Sequence, residues 1–245
     1  MKRLLITAVA LFGAALLFGE SRIISIYTYH THAPFIVAEG EGLSYDLATY
    51  LSEKSSGKYR FRVLPMTRAR IDRLLEEELE GIIPWVSPAW FSDCEEIRLR
   101  WVEGYLMRDG NTVISSKEKK IEYRGPGSVI GLIFGGVRGH HYQEIDDLVE
   151  SGSVTRLDNE NHLNNFRMLE KGRIDFTIAP LTGSEYIIKT NSMEDTLYIS
   201  RELHSAYFRR IIVSHEDEEL LMFLQSILAE IQDDDKWNYY VNRYK

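Results

Sequence analysis

Short apolar runs alternate with helical patterns along nearly the whole chain, and this alternation restricts it to an α/β architecture. The apolar runs at 23–27, 60–64, 81–85, 129–134, 175–179 and 210–213 read as strands. Helical periodicity covers 45–55, 69–79, 142–150, 162–170, 184–189 and 216–232, with a last short helix at 237–243. No repeat, low-complexity tract or Pro/Ser linker interrupts the pattern. Any division into two domains must therefore be interlaced through short crossovers.

The first 21 residues have the order of a secretory leader. Lys2 and Arg3 form a basic start, residues 4–18 an apolar stretch, and Gly19 and Ser21 place small residues ahead of a cut after Ser21. That stretch is shorter than the about 20 apolar residues a membrane span needs, although an uncleaved anchor stays open as the alternative. No cysteine follows it, so no lipid attachment is expected, and a freely diffusing periplasmic protein fits best.

Of 245 residues, 224 remain after the leader, enough for two lobes. Cys94 is the single cysteine, so an exported chain has no internal disulfide and depends on its apolar core, where that thiol is expected to lie. The formal charge of −8 becomes −9 once Lys2, Arg3 and Glu20 leave. With no long basic run, nucleic acid and anionic membrane surfaces are poor partners.

Residues 32–47 follow the first strand and lead into the first helix; they contain Pro34-Phe35 and the Gly-x-x-x-Asp-Leu of Gly42 to Leu47. This segment resembles the opening of a family 3 extracellular solute-binding protein. Further segments resemble that family in the same order. Pro65-Met66-Thr67-Arg68 is similar to a Pro-Trp-x-Arg after the second strand, with Met66 in place of Trp; residues 80–86 are similar to its third strand and cleft loop. Residues 131–142 resemble its Gly-Val-x-x-Gly segment, and Lys171-Gly172-Arg173-Ile174-Asp175 its Gly-Arg-Val-Asp turn. The resemblance spans the mature chain. It implies a two-lobe periplasmic binding protein fold of type II, two interlaced open sheets flanked by helices with a cleft between them. Lobe one would comprise 22–111 and 206–245, lobe two 112–205, with crossovers at 111–115 and 200–208. Open α/β sheets bind ligands beyond the carboxyl ends of their strands, which agrees with a cleft there.

The departures bear on the ligand. Amino-acid binders of this family carry a Thr-Pro-x-Arg whose guanidinium grips the α-carboxylate; here Ser87-Pro88-Ala89-Trp90 stands in its place. They also place an Asp beyond the Gly-Arg-Val-Asp turn for the α-ammonium, where this chain has Ala179-Pro180-Leu181. An ordinary free amino acid is therefore disfavoured.

The cleft instead offers aromatic faces and arginine. His32, Trp85 and Trp90 are candidates for stacking, Arg68 and Arg138 for a carboxylate or phosphate, and Phe35, Ser87 and His140 complete the candidate ligand-binding set. Arg138 lies in Gly135-Gly136-Val137-Arg138-Gly139 ahead of a helix, where free backbone N–H groups favour an anion. A Gly-rich turn with a solvated Arg, and tryptophans that fill the core, stand beside these readings.

His30, His32, His140 and His141, with Asp46 or Glu144, form a rival metal set, but neither spacing is a known metal signature. No catalytic Ser/His/Asp or Cys/His signature is present, and neither metal nor cofactor is expected. Glu76 to Glu78 and Asp233 to Asp235 read as solvated helix faces and ends, Asp233 to Asp235 also serving the last helix, whose Trp237, Tyr239, Tyr240 and Tyr244 are expected to pack on lobe one.

The sequence thus reads as a monomeric, non-enzymatic periplasmic protein that traps a small polar, anionic or amino-acid-derived ligand for an inner-membrane ABC transporter permease. A ligand-sensing accessory role, or a dehydratase-like enzyme on the same fold, is the alternative.

Overall fold

The computed structural model describes residues 21–77, 80–91, 99–142, 144–214 and 216–245. Residues 1–20 of the expected 21-residue leader and Cys94, with its expected burial, lie outside the described residues.

Strand β1 (Arg22–Thr28) pairs in parallel with β2 (Tyr59–Pro65) through helix α1 (Leu43–Lys54), a βαβ unit with register Arg22↔Tyr59 to Thr28↔Pro65. Helix α2 (Arg68–Glu76) then leads to β3 (Ile82–Val86) on the other side of β1. Strand β4 (Met107–Ser116) opens the second half, followed by β5 (Ile133–Val137), α3 (Ile145–Glu150), β6 (Thr155–Asn159), α4 (His162–Glu170), β7 (Phe176–Pro180) and α5 (Leu181–Thr190). The chain returns along the 17-residue β8 (Leu197–Val213) and ends in α6 (Glu218–Glu230) and α7 (Asp235–Asn242). The strand order is β2-β1-β3-β8-β4-β7-β5-β6.

Two long strands hold this order together. The carboxyl end of β8 pairs antiparallel with β3 (Ile82↔Val213), while most of its length pairs antiparallel with β4 (Met107↔Arg209 to Ser116↔Leu197). The segments expected to be crossovers therefore lie within a paired ribbon.

Both halves are covered on both faces, as near-continuous apolar strands require. In the first half Ile82, Trp85, Ile211 and Val213 face one core with Leu47, Leu224 and Trp237, while Ile83, Val86 and Ile212 face another with Ile71. In the second half Val113, Phe134 and Phe176 face one core, and Ile114, Phe166 and Ile174 the other. Each such side chain contributes about 1.5–3 kcal/mol relative to exposure.

The apolar run at 129–134 does not form a strand as a unit. Residues Pro126–Val129 make one 3₁₀ turn, Gly131 takes φ +80°, and β5 begins at Ile133, whose N–H donates to Asp175 Oδ2 at 2.7 Å. The last helix begins at Asp235, two residues ahead of the expected 237, and the Asp234 side chain accepts from Trp237 N–H at 2.9 Å, so the 233–235 run serves its first turn. Trp237 and Tyr244 are buried, but Tyr239 is 64% exposed and does not pack on the core.

Gly42 caps α1 at φ +126°, a backbone region unsuited to a side chain. An added Cβ would lie 2.6 Å from Phe35 O and 2.8 Å from Ile36 Cα, so glycine lets the loop after β1 press against the helix start. Gly42→Ala is expected to lower the unfolding free energy by about 2 kcal/mol or more. Gly40→Ala, at φ +79° with open space around the Cβ, is expected to cost less. Equal urea midpoints for the two variants would remove this account.

Candidate functional site

The cleft is built from one loop of the first half and three strand ends of the second. After β1 the chain turns through His30 and His32, and the turn is pinned to α1: Leu43 N–H donates to Pro34 O at 2.8 Å and Ser44 N–H to Phe35 O at 3.0 Å. Phe35 is fully buried, with ring centroids 5.2 Å from Trp85 and 5.5 Å from His32, and His32 stands above it, exposed. Facing this loop are the carboxyl ends of β5, β6 and β7, which deliver His140, His162 and Pro180. Between them lies a cavity of about 440 Å³ with His32 and Ala33 on one side and His140, His162, Leu163 and Ile187 on the other. Among the described residues no Asp, Glu, Lys or Arg lines it.

Two of the cavity's histidines, His162 and His32, are held toward the neutral form. Burial, with the neighbouring His140 and His32, pulls the His162 imidazole down to about 4, and its Nδ1 is buried without a hydrogen-bond partner. Although His32 keeps an exposed edge, the protein atoms around its ring displace water from it, and this desolvation, then the Arg209 guanidinium, lowers it as well. Behind the loop, burial first, then the charges of Arg209, His32 and Arg68, push His30 well below the usual imidazole range. The rings of His140 and His162 meet edge-on, 6.1 Å apart.

Beside the cavity sits a buried ion pair. Arg209 of β8 donates from Nε to Asp109 Oδ2 at 2.7 Å and from Nη1 to Trp85 O at 2.8 Å. Its guanidinium carbon lies 4.5 Å from the Phe35 ring centroid and 5.4 Å from those of Trp90 and Tyr207. Asp109 of β4 also accepts from Gly110 N–H at 2.9 Å and from Thr182 N–H, in the first turn of α5, at 3.2 Å. One carboxylate thus joins a side chain packed in the first half to a helix of the second.

The predicted residues are distributed unevenly over this geometry. His32 and His140 share the cavity. Trp90 is half-buried, edge-on to Tyr207 at 5.0 Å and near His30 at 5.7 Å. Trp85 offers no free face: it is fully buried, stacks on Trp237 at 6.2 Å and donates from Nε1 to Ser44 Oγ at 3.0 Å. The cause is a bulge in β3 between Pro84 and Val86, where Trp85 takes φ +70° and turns toward the core. Ser87 is buried, its carbonyl accepting from Trp90 N–H at 3.0 Å.

The expected pair of arginines does not assemble. Arg68 bonds Asp72 one turn along α2 at 2.6 Å and lies over the Tyr29 and Phe91 rings, while Arg138 is exposed; neither lines the cavity. Gly135 and Gly136 serve packing. A Cβ on Gly135 would come within 2.3 Å of Ile174 Cδ1, and one on Gly136 within 2.5 Å of Asp158 Oδ1. The buried Asn165 amide donates to both glycine carbonyls, at 3.0 and 3.1 Å. The helix after Arg138 begins only at Ile145, too far along to present its N-terminus to that side chain.

Nor does the rival metal set converge. Asp46 bonds Arg243 at 2.7 Å and Tyr244 at 2.9 Å, Glu144 accepts from Tyr123 OH at 3.1 Å, and His141 lies 3.4 Å from Asp146. Among the described residues no three of His, Cys, Asp and Glu come together to hold a metal ion.

Sequence reasoning passed over His162, which marked only a helix start, and the Asp109–Arg209 pair, whose members lie 100 residues apart. Ala179 and Pro180, noted for the acidic group they lack, are themselves cavity lining.

No protein-family model matches the sequence, and no curated protein matches it. Solved structures do. The L-cystine solute receptor of Neisseria gonorrhoeae, in its unliganded open conformation, superposes with a TM-score of 0.70 at 11% identity, covering 93% of this chain and 94% of the receptor. The chain has the two-lobe periplasmic binding protein fold. A putative binding component of an ABC transporter from Wolinella succinogenes, complexed with lysine, gives 0.67 at 14% identity, over 91% of this chain and 95% of that one. An ancestral arginine-binding protein bound to arginine gives 0.65 at 17% identity, over 92% and 99%. Among the described residues no helix is long and apolar enough to cross a membrane.

Proposed function

We propose that this chain is a periplasmic solute-binding protein that traps a small molecule between its two lobes and passes it to an inner-membrane ABC transporter permease. The carrying observation is the cavity of about 440 Å³ at the carboxyl ends of β5, β6 and β7, roofed by the loop after β1 of the other half. Its volume falls in the range of about 300–1,000 Å³ usual for small-molecule sites. The similar structures are binding proteins whose ligands include lysine and arginine. In this reading the lobes are 22–111 with 206–245 and 112–205, the ribbon of β4 and β8 flexes between them, and the leader is removed after Ser21. His32 and His140 touch the ligand, Trp90 borders it, and Phe35, Trp85 and Ser87 support the loop from beneath.

An enzyme on this scaffold needs a base poised near the working pH. His162, held at about 4, is a weak base at neutral pH. Binding without turnover is supported by similar structures that are themselves binding proteins or receptors.

The test uses the monomeric protein from residue 22 onward, with a fractionated metabolite extract, thermal melting and solution scattering. A ligand at about 100 times its dissociation constant adds about 2.7 kcal/mol, or roughly 5–10 °C for a chain of this size. Such a shift, with compaction on binding, is the expected result. No fraction producing either change would overturn the reading.

A further inference from the structure

We propose that the group lodged in this cavity is uncharged, with an apolar or aromatic body and one or two neutral hydrogen-bonding functions such as an amide or a hydroxyl. The inference rests on the binding-protein reading and names the class of ligand.

It follows from what the cavity presents. The walls are Ala33, Leu163, Ala179, Pro180 and Ile187, and among the described residues no ionised side chain reaches the lining. An ionic group in such surroundings gives up its hydration and finds no partner to replace it. Two of the nearby arginines are already committed, Arg209 to Asp109 and to the Trp85 carbonyl and Arg68 to Asp72, and the exposed Arg138 does not line the cavity. A zwitterionic or anionic ligand in the cavity therefore meets no charged side chain among the described lining residues.

The polar part of the lining carries no carboxylate, ammonium or guanidinium group. His32, His140 and His162 stand at one end with Asn161; at the end of α5 the Thr190 hydroxyl and Asn191 amide donate to Tyr186 O and Ile187 O, each at 2.8 Å, and keep their oxygens as acceptors. Neutral imidazoles and amides donate and accept, which suits a group that does the same without charge. Flat imidazole faces and Tyr186 give an aromatic body something to stack on.

The experiment compares probes that share one body and differ in charge. N-acetyl-L-phenylalaninamide and indole are the neutral members; L-phenylalanine, phenylacetate and L-arginine are the charged ones. Calorimetry at pH 7.5 is expected to give the neutral amide at least about tenfold tighter binding than phenylalanine or phenylacetate, with indole also bound. Thr190→Trp, at an exposed position of the lining, is expected to abolish binding of both neutral probes while leaving the melting point of the free protein in place. Tighter binding of a charged probe overturns the inference and leaves the binding-protein reading standing. Silence of every probe at millimolar concentration also overturns it, because apolar fragments that fit a cavity of this kind bind in that range; the extract experiment then judges the other reading alone. Unchanged neutral-probe binding in Thr190→Trp would show that the probes sit elsewhere, and would equally overturn it.

Discussion

Asp109→Ala is expected to lower the unfolding free energy by about 3–5 kcal/mol, the range for breaking one side of a buried ion pair. The Asp109 side chain is fully buried and that of Arg209 is 2% exposed, so removing the carboxylate leaves a guanidinium in the interior with, among the described residues, the Trp85 carbonyl and the Tyr207 hydroxyl as its hydrogen-bond partners. Gly110 N–H and Thr182 N–H lose their acceptor at the same time. Asp109→Asn keeps an acceptor for those two amides and is expected to fall between wild type and Asp109→Ala. The double variant Asp109→Leu with Arg209→Met removes both ions together and is expected to recover much of the loss, since apolar replacement of a whole buried pair is often neutral. Urea unfolding followed by tryptophan fluorescence measures all three. A loss under about 1 kcal/mol for Asp109→Ala would mean that water reaches Arg209 and that the pair is a surface contact in effect.

This pair also shows why part of the fold escapes a reading of the sequence. Strand β4 contains Asp109-Gly110-Asn111, residue types that mark turns, yet it is a central strand because Arg209 of its neighbour neutralises Asp109. The amino-terminal part of β8 carries Arg201, Glu202, His204 and Ser205, so its polar composition hides a strand whose ladder with β4 is made by the backbone. Strand β6, TRLDN, is an edge strand without a buried face, and its pattern does not differ from a loop. Where periodicity and burial coincide, the sequence suffices. Helix α4 spans His162–Glu170, the same residues as its pattern, and β1, β2 and β7 lie within a residue or two of their apolar runs.

The cavity divides in the same way. His32 follows a strand and precedes the Gly42 cap, a local arrangement that the sequence displays, and the cavity does form above that loop. Arg68 and Arg138 were favoured for the chemistry of their side chains alone. Where a guanidinium points depends on neighbours that no local pattern encodes: Asp72 claims Arg68, and Arg138 is left in solvent. Conversely, the burial of His162 comes from packing beside His140, at the end of the neighbouring strand, to which its own segment gives no clue.

That packing has a consequence in acid. Unfolded His162 takes up a proton near 6.5, whereas the folded imidazole does so only at about 4. Between these values the unfolded state binds more protons, so stability falls as pH falls. The contribution of neutral His162 is complete above about pH 6.5, erodes as the pH drops, and is gone near pH 4, where the sum reaches about 3 kcal/mol. His30, lowered by burial and by Arg209, adds in the same direction. Asp46 and Glu185, whose carboxyls burial raises, act oppositely at the acid end, since their protonated forms are favoured in the folded state. The difference between wild type and His162→Asn isolates the imidazole from these groups. Unfolding free energies measured from pH 7.5 down to 4 are expected to fall more steeply in wild type, by about 3 kcal/mol over that range. Parallel curves would mean that folded His162 protonates as readily as a free imidazole and that water already fills its side of the cleft.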